Sequence, residues 1–218
     1  MWISEAKHLQ GKLHTFPSLW QALAIPKRFQ GKSLNDYEDN ENVVSSLKKA
    51  IEENKSIFLS GGCGSGKTHL AIGLIYYWLE KFLVLRTEPS YMEESERIVP
   101  DWNKTGGVPK FVVSPELFMQ LKSTFGERSE ESESTIIEKY SRAPLLVLDD
   151  IGSEKVTDWS RMDLYILINK RYNAMLPTIV TSNYGRSWIS ENIDDRLSSR
   201  LSEMGLVINL KSTDRRVR

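Results

Sequence analysis

Four short strings in this 218-residue chain carry side chains that could do chemistry together. The first is Gly61-Gly62-Cys63-Gly64-Ser65-Gly66-Lys67-Thr68, of the form G-x-x-x-x-G-K-[ST]. In such a loop the glycines let backbone N–H groups curl around an anion, the lysine reaches the β/γ-phosphates and the hydroxyl holds Mg2+. The second is Asp149-Asp150, two carboxylates at the end of the apolar run Leu145 to Leu148. Asp149 is placed to orient a metal ion or its waters, and Asp150 to face the γ-phosphate and orient or partly deprotonate water. The third is Asn183, at the end of the next apolar run, which could sense the γ-phosphate by hydrogen bonding or could serve a turn. The fourth is the pair Arg196 and Arg200, which share one face if their segment is helical. An arginine delivered into a neighbour's site neutralises transition-state charge, an effect of roughly 10³ to 10⁵ in rate. Ion pairs with Asp194 or Glu203 would account for the same spacing.

These groups need a scaffold that brings distant stretches to one edge. Ser56 to Ser60 is a short apolar run read as a buried strand, and Thr68 to Leu79 is long, apolar and helical in character. Strand, loop and helix in that order aim a helix N-terminus at phosphate. Leu145 to Leu148, Thr178 to Thr181 and Leu206 to Leu210 are further buried strands, Phe111 to Val113 resumes strand character, and helices are expected over Glu41–Glu53 and Asp158–Leu176. Ser114-Pro115-Glu116 opens another helix, with serine as its N-cap. The alternation predicts an α/β fold with a five-stranded, mostly parallel sheet flanked by helices. Ligands of such sheets bind at the carboxyl edge of the strands, where the second and third strings fall.

Composition bounds the rest. Hydrophobic residues at 40% and charged residues at 27% are ordinary for a globular chain, and no apolar run reaches the roughly 18 residues of a membrane span. The start of the chain lacks the layout of a signal peptide, so a cytoplasmic protein without a membrane partner is expected. One cysteine permits neither an internal disulfide nor a Cys-type zinc cluster. That residue, Cys63, lies inside the glycine loop, where N–H groups could make it reactive, or it is a small residue tolerated at a variable position. The net charge of zero means that any nucleic-acid contact needs a local basic patch.

Residues 1–35 read as an amino-terminal appendage whose scattered Trp2, Phe16, Leu19, Trp20, Leu23 and Ile25 could pack on a larger body or bind a partner. Residues 36–218 then form the main domain. Its stretch at about 82–110 holds three prolines and two adjacent glycines, which predicts an inserted loop carrying Tyr91 and Trp102. The acidic, serine-rich Glu127 to Glu138 reads as the solvated start of a helix that Pro144 stops.

The order of the glycine loop with His69-Leu70-Ala71, then Leu145 to Gly152, then Thr181-Ser182-Asn183, then Asp195-Arg196-Leu197-Ser198-Ser199-Arg200-Leu201, resembles the AAA+ helicase loaders of the DnaC/DnaI type, with the IstB transposition helpers close by. Ile25 to Phe29, Arg171-Tyr172-Asn173 and Asp214-Arg215-Arg216 extend the resemblance over roughly residues 25 to 218. It implies an AAA+ P-loop core without a separate helical lid, binding ATP and Mg2+ and sharing its sites within a homo-oligomer. Gly61 to Thr68 and His69 carry over to the nucleotide, Thr68 and Asp149 to the metal, and Asp150 and Lys67 to catalysis. Asn183 carries over as sensor 1, Arg200 as arginine finger, Arg196 as its companion and Arg216 as the sensor 2 arginine. The resemblance further implies a weak Mg-dependent ATPase that places a replicative DNA helicase on single-stranded DNA. Carboxylates in Glu127 to Glu138 would repel phosphate, so strand binding should use Lys122, Lys139, Arg142 or the insert. An IstB-like helper on duplex DNA and a P-loop small-molecule kinase are the alternatives. Paired acids with a late Arg-x-x-x-Arg suit hydrolysis across a subunit boundary better than a kinase.

Overall fold

A computed structural model of the chain describes residues 12–37, 40–88, 95–125, 131–154 and 156–211. The amino-terminal part holds helices α1 (Pro17–Ala22) and α2 (Glu41–Glu52), then strand β1 (Ser56–Gly61) and helix α3 (Lys67–Leu79). Next come β2 (Leu83–Glu88), β3 (Ser95–Pro100), α4 (Trp102–Thr105), β4 (Lys110–Val113), α5 (Ser114–Ser123) and α6 (Glu133–Ser141). The carboxyl-terminal part runs β5 (Leu146–Ile151), α7 (Asp158–Asn173), β6 (Thr178–Ser182), α8 (Arg186–Asn192), α9 (Asp195–Glu203) and β7 (Gly205–Leu210). Five strands form one sheet in the order β4-β5-β6-β1-β7, and every pairing in it is parallel.

The central strands are buried on both faces, which is why they read as unbroken apolar runs. Alternate residues serve two cores. Ile57, Leu59, Val147 and Ile179 meet α2, α3 and the amino-terminal segment, whereas Phe58, Leu146, Leu148 and Val180 meet α5, α6, α7 and α9. Helix α3 is apolar almost all the way round because it is covered twice. The sheet lies on one side of it, and on the other lie Leu13, Leu19, Leu23, Ile25 and Leu34 from the segment ahead of α2. A Cβ on Gly73 would come within 2.8 Å of the Leu34 side chain, so glycine is needed for that close approach. The described part of the amino-terminal segment therefore packs on the body.

Several local expectations shift. The stretch at 82–110 is not an irregular loop: β2 and β3 form an antiparallel hairpin, α4 follows, and Trp102 and Val108 pack against the first core. Pro100 is tolerated because it sits at the strand end, opposite Leu83. Tyr91 lies outside the described residues. Ser114 lies inside α5 and donates its hydroxyl to Glu154 rather than capping the helix. Helix α7 ends at Asn173 rather than Leu176, since Met175 takes a left-handed φ of 52° before Leu176-Pro177. After β6, Ile189, Leu197 and Leu201 of α8 and α9 join the second core, so these helices belong to the sheet's cover and form no separate lid among the described residues. No described helix is long and apolar enough to cross a membrane.

One buried acid makes stability depend on pH. Asp163 of α7 is 3% exposed, and burial together with the nearby Glu133 of α6 pushes its carboxyl up to about 7. The unfolded chain releases that proton near the ordinary value of 3.8. The folded state thus binds the proton more tightly, and the stability this contributes is full below about pH 4 and lost as pH rises through about 7. Asp163→Asn is expected to melt a few degrees above wild type at pH 8, with the gap closing towards pH 4; thermal melts across that range check it.

Candidate active site

The glycine loop joins the carboxyl end of β1 to the first turn of α3. Gly64 and Gly66 have φ of 77° and 90°, so the loop curls through left-handed conformations that place the α3 amino terminus at its mouth. Lys67, only 7% exposed, donates from Nζ to the carbonyls of Gly61 (2.7 Å) and Gly62 (2.9 Å), and lies 3.5 Å from Ser65 Oγ. The same ammonium donates to Asn183 Oδ1 at 2.9 Å.

Opposite the loop, β5 and β6 slip register between Leu148 and Ile151, where Asp149 and Asp150 lie. Asp150 has a φ of 61°, a left-handed conformation unusual for a residue other than glycine. Thr181 threads the irregularity: its hydroxyl accepts from the Asp150 N–H at 2.8 Å and donates to Asp149 Oδ1 at 2.7 Å. Thr68 Oγ1 reaches the same carboxylate at 2.9 and 3.1 Å, and Asn183 Nδ2 donates to Asp150 Oδ1 at 2.7 Å. Lys67, Asn183, Asp150, Thr181, Asp149 and Thr68 thus form one continuous hydrogen-bonded chain joining the first turn of α3 to the carboxyl ends of β5 and β6. Burial pushes the Asp149 carboxyl up, and the hydroxyls of Thr181 and Thr68 pull it back. A hydroxyl and two carboxylates beside a helix amino terminus make an oxygen donor set that fits a hard divalent cation carrying phosphates.

A cavity of ≈ 620 Å³ lies over this chain of groups, lined by Cys63, Gly64, Gly66, Lys67, Thr68, His69, Asp149, Asp150 and Asn183. Its remaining wall comes from Val113 and from a stretch that residue-type reasoning leaves out of the site: Arg28, Phe29, Lys32, Asp36 and Tyr37. That stretch is fastened to the loop. Tyr37 donates its hydroxyl to the Ser65 carbonyl at 3.1 Å, and His69 Nε2 lies 2.6 Å from the Ser33 carbonyl. Asp36 in turn accepts from the Ser33 N–H and hydroxyl at 2.7 and 2.9 Å. The geometry gives His69 a fastening contact besides its place on the cavity wall. The one signal in the sequence was the basic and aromatic Lys27-Arg28-Phe29, which carries no spacing rule of its own.

Arg196 and Arg200 lie on one face of α9, away from this cavity's lining. Arg196 pairs with Asp194 at 2.8 Å, while Arg200 Nε donates to Asn169 Oδ1 at 2.9 Å. Cys63 is exposed, with Sγ 3.7 Å from Asn183 Oδ1. Arg216 and its neighbours Asp214 and Arg215 lie outside the described residues, as do residues 127–130 of the acidic stretch.

The all-parallel sheet, the glycine loop and the acidic strand end define an α/β fold with a phosphate-binding-loop motif, the fold also seen in the DnaC and DnaA structures. The chain is similar in sequence to the helicase loader DnaI and in fold to the DnaC and DnaI structures. The replicative helicase loader DnaI of Bacillus subtilis (strain 168) is 28% identical over 147 residues, which are 66% of this chain and 39% of DnaI. The crystal structure of the DnaC helicase loader superposes with a TM-score of 0.64 at 22% identity, covering 86% of this chain and 100% of that one. The replication initiator DnaA bound to AMPPCP and single-stranded DNA superposes at 0.62 with 17% identity, covering 87% of this chain and 51% of DnaA. No protein-family model matches the chain.

Proposed function

We propose that this chain is an ATP-switched, Mg-dependent ATPase of DNA replication that loads a replicative helicase onto single-stranded DNA and works as a homo-oligomer in the cytoplasm. The observation that carries the ATPase is the unbroken hydrogen-bonded chain from Lys67 to Thr68 through both aspartates. The glycine loop and Lys67 would hold the phosphates, and Thr68 with Asp149 would hold Mg2+. Mg2+ held by Thr68 and Asp149 would supply positive charge against the charge that develops on the phosphates. Asp150, held by Asn183 and by its own strained backbone, would orient the attacking water. Asn183 touches both Lys67 and Asp150, which suits a residue that reports whether the terminal phosphate is present. Arg28 and Lys32 would face the anionic ligand from the other wall. The similarity to DnaI and DnaC supports the loader reading, and the DnaA complex with AMPPCP and single-stranded DNA supports a nucleotide and strand partner.

The test is ATP hydrolysis by the purified chain with and without single-stranded DNA. A slow basal rate that rises with the strand is expected, and Arg200→Ala should keep nucleotide binding while losing the rise by about 10³-fold or to the limit of detection. Full stimulation in Arg200→Ala would remove the arginine from the mechanism. Tighter binding of duplex than of single strands at one fixed salt concentration would favour a transposition helper instead.

A further inference from the structure

Arg200 is held by one face of α7. Tyr165, Asn169 and Tyr172 stand at i, i+4 and i+7, so they form a stripe along that helix, and α9 lies against it. The Arg200 guanidinium carbon is 4.8 Å from the Tyr165 ring centroid and 5.4 Å from that of Tyr172. Its Nε donates to Asn169 Oδ1 at 2.9 Å. Arg196 stacks on Tyr165 as well, at 4.2 Å, but its charge is met by Asp194 at 2.8 Å. Arg200 has no carboxylate within ion-pair distance among the described residues.

That is unexpected, because Glu203 lies three residues on in the same helix, within reach for an intrahelical pair. Glu203 is engaged elsewhere: Tyr172 donates its hydroxyl to Glu203 Oε1 at 2.8 Å. The same tyrosine offers its ring face to the guanidinium and its hydroxyl to the carboxylate that would otherwise neutralise it.

We propose that Asn169 and Tyr172 are positioning residues for Arg200. Asn169 holds its Nε edge, and Tyr172 diverts Glu203, so that an uncompensated guanidinium is presented to an anion on a second copy of this chain. The proposal rests on the reading of Arg200 as a residue that acts in a neighbour's site.

Mixed full-length chains test both levels separately. One chain carries Lys67→Ala and supplies only the arginine; the other carries Arg200→Ala and supplies only the nucleotide site. Mixing them with ATP, Mg2+ and single-stranded DNA is expected to restore the strand-stimulated hydrolysis that neither shows alone. Adding Tyr172→Phe to the Lys67→Ala chain should lower the restored rate about threefold, the size expected when a surface ion pair forms. Adding Glu203→Gln to that chain should return the rate, since the competing carboxylate is gone. Asn169→Ala should also lower the rate, and Glu203→Gln should not repair it. A merely structural role for Tyr172 predicts no such selective rescue. If mixing restores nothing, the reading of Arg200 falls and this proposal with it. If mixing restores hydrolysis but Tyr172→Phe changes nothing, or its loss is not repaired by Glu203→Gln, the diversion of Glu203 is wrong while the role of Arg200 stands.

Discussion

Replacing Lys67 by alanine is expected to weaken Mg-ATP binding by on the order of 100-fold or more, measured by titration calorimetry or with a fluorescent ATP analogue. The ammonium is almost fully enclosed, so little water competes for it, and it sits in the curl of a loop whose amides converge on the same space. Removing one partner of such an enclosed charge pair costs about 2–5 kcal/mol, and about 1.4 kcal/mol is tenfold in affinity. The same substitution removes donors to Gly61, Gly62 and Asn183. Asn183 then loses its bond to the Lys67 ammonium, while its contact with Cys63 Sγ and its bond to Asp150 stay. Lys67→Met keeps more of the buried volume and should bind as poorly as Lys67→Ala while melting closer to wild type. Binding by Lys67→Ala within a few fold of wild type would mean that the nucleotide lies elsewhere.

Arg171→Leu is expected to prevent stable folding. Arg171 is completely buried, and among the described residues every hydrogen-bond partner of its guanidinium is a neutral oxygen. Nη1 donates to the carbonyls of Tyr140, Ser141 and Ala143 at 3.0, 3.1 and 2.7 Å, Nη2 to that of Pro177 at 2.7 Å, and Nε to Thr178 Oγ1 at 2.8 Å. One side chain therefore satisfies the last carbonyls of α6 and the chain entering β5 and β6. A cation there also complements the negative end of the helix. Burial pulls the guanidinium down to about 9, which still leaves it charged at neutral pH. Leucine would strand several buried carbonyls at about 1–3 kcal/mol each, against a total stability of roughly 5–15 kcal/mol for a typical domain. Arg171→Lys, with fewer donors in a less suitable geometry, should fold and unfold at visibly lower urea concentration. The site should feel this change from a distance, because β5 and β6 carry Asp149, Asp150, Thr181 and Asn183 at their opposite ends.

The contrast between these two residues shows what could be read in advance. Lys67 belongs to a string whose spacing is dictated by the shape of a phosphate, so its type and position declare its chemistry. The aspartates were legible because two acids closing an apolar run can only face the polar edge of a buried strand. The parallel sheet followed from such runs alternating with helices, and the resemblance to AAA+ loaders from the order of the strings. Arg171 was legible only as part of a family string, since nothing local says that an arginine near the end of a helix will be fully enclosed. The hairpin at β2 and β3 was hidden by Pro100, which closes β3, and by Gly106, Gly107 and Pro109, which follow it.

By itself, then, the amino-acid sequence determined the glycine loop, the strand ends and the residue types proposed to meet a nucleotide, because each depends on a local pattern. Only the tertiary structure decided that Thr181 links the two aspartates, that the segment carrying Arg28, Phe29 and Tyr37 walls the cavity, and that Tyr172 stands by Arg200 and takes up Glu203. Those are contacts between residues far apart in the chain, or a choice among several available partners, and they are settled by how helices pack on a sheet rather than by any spacing along the chain.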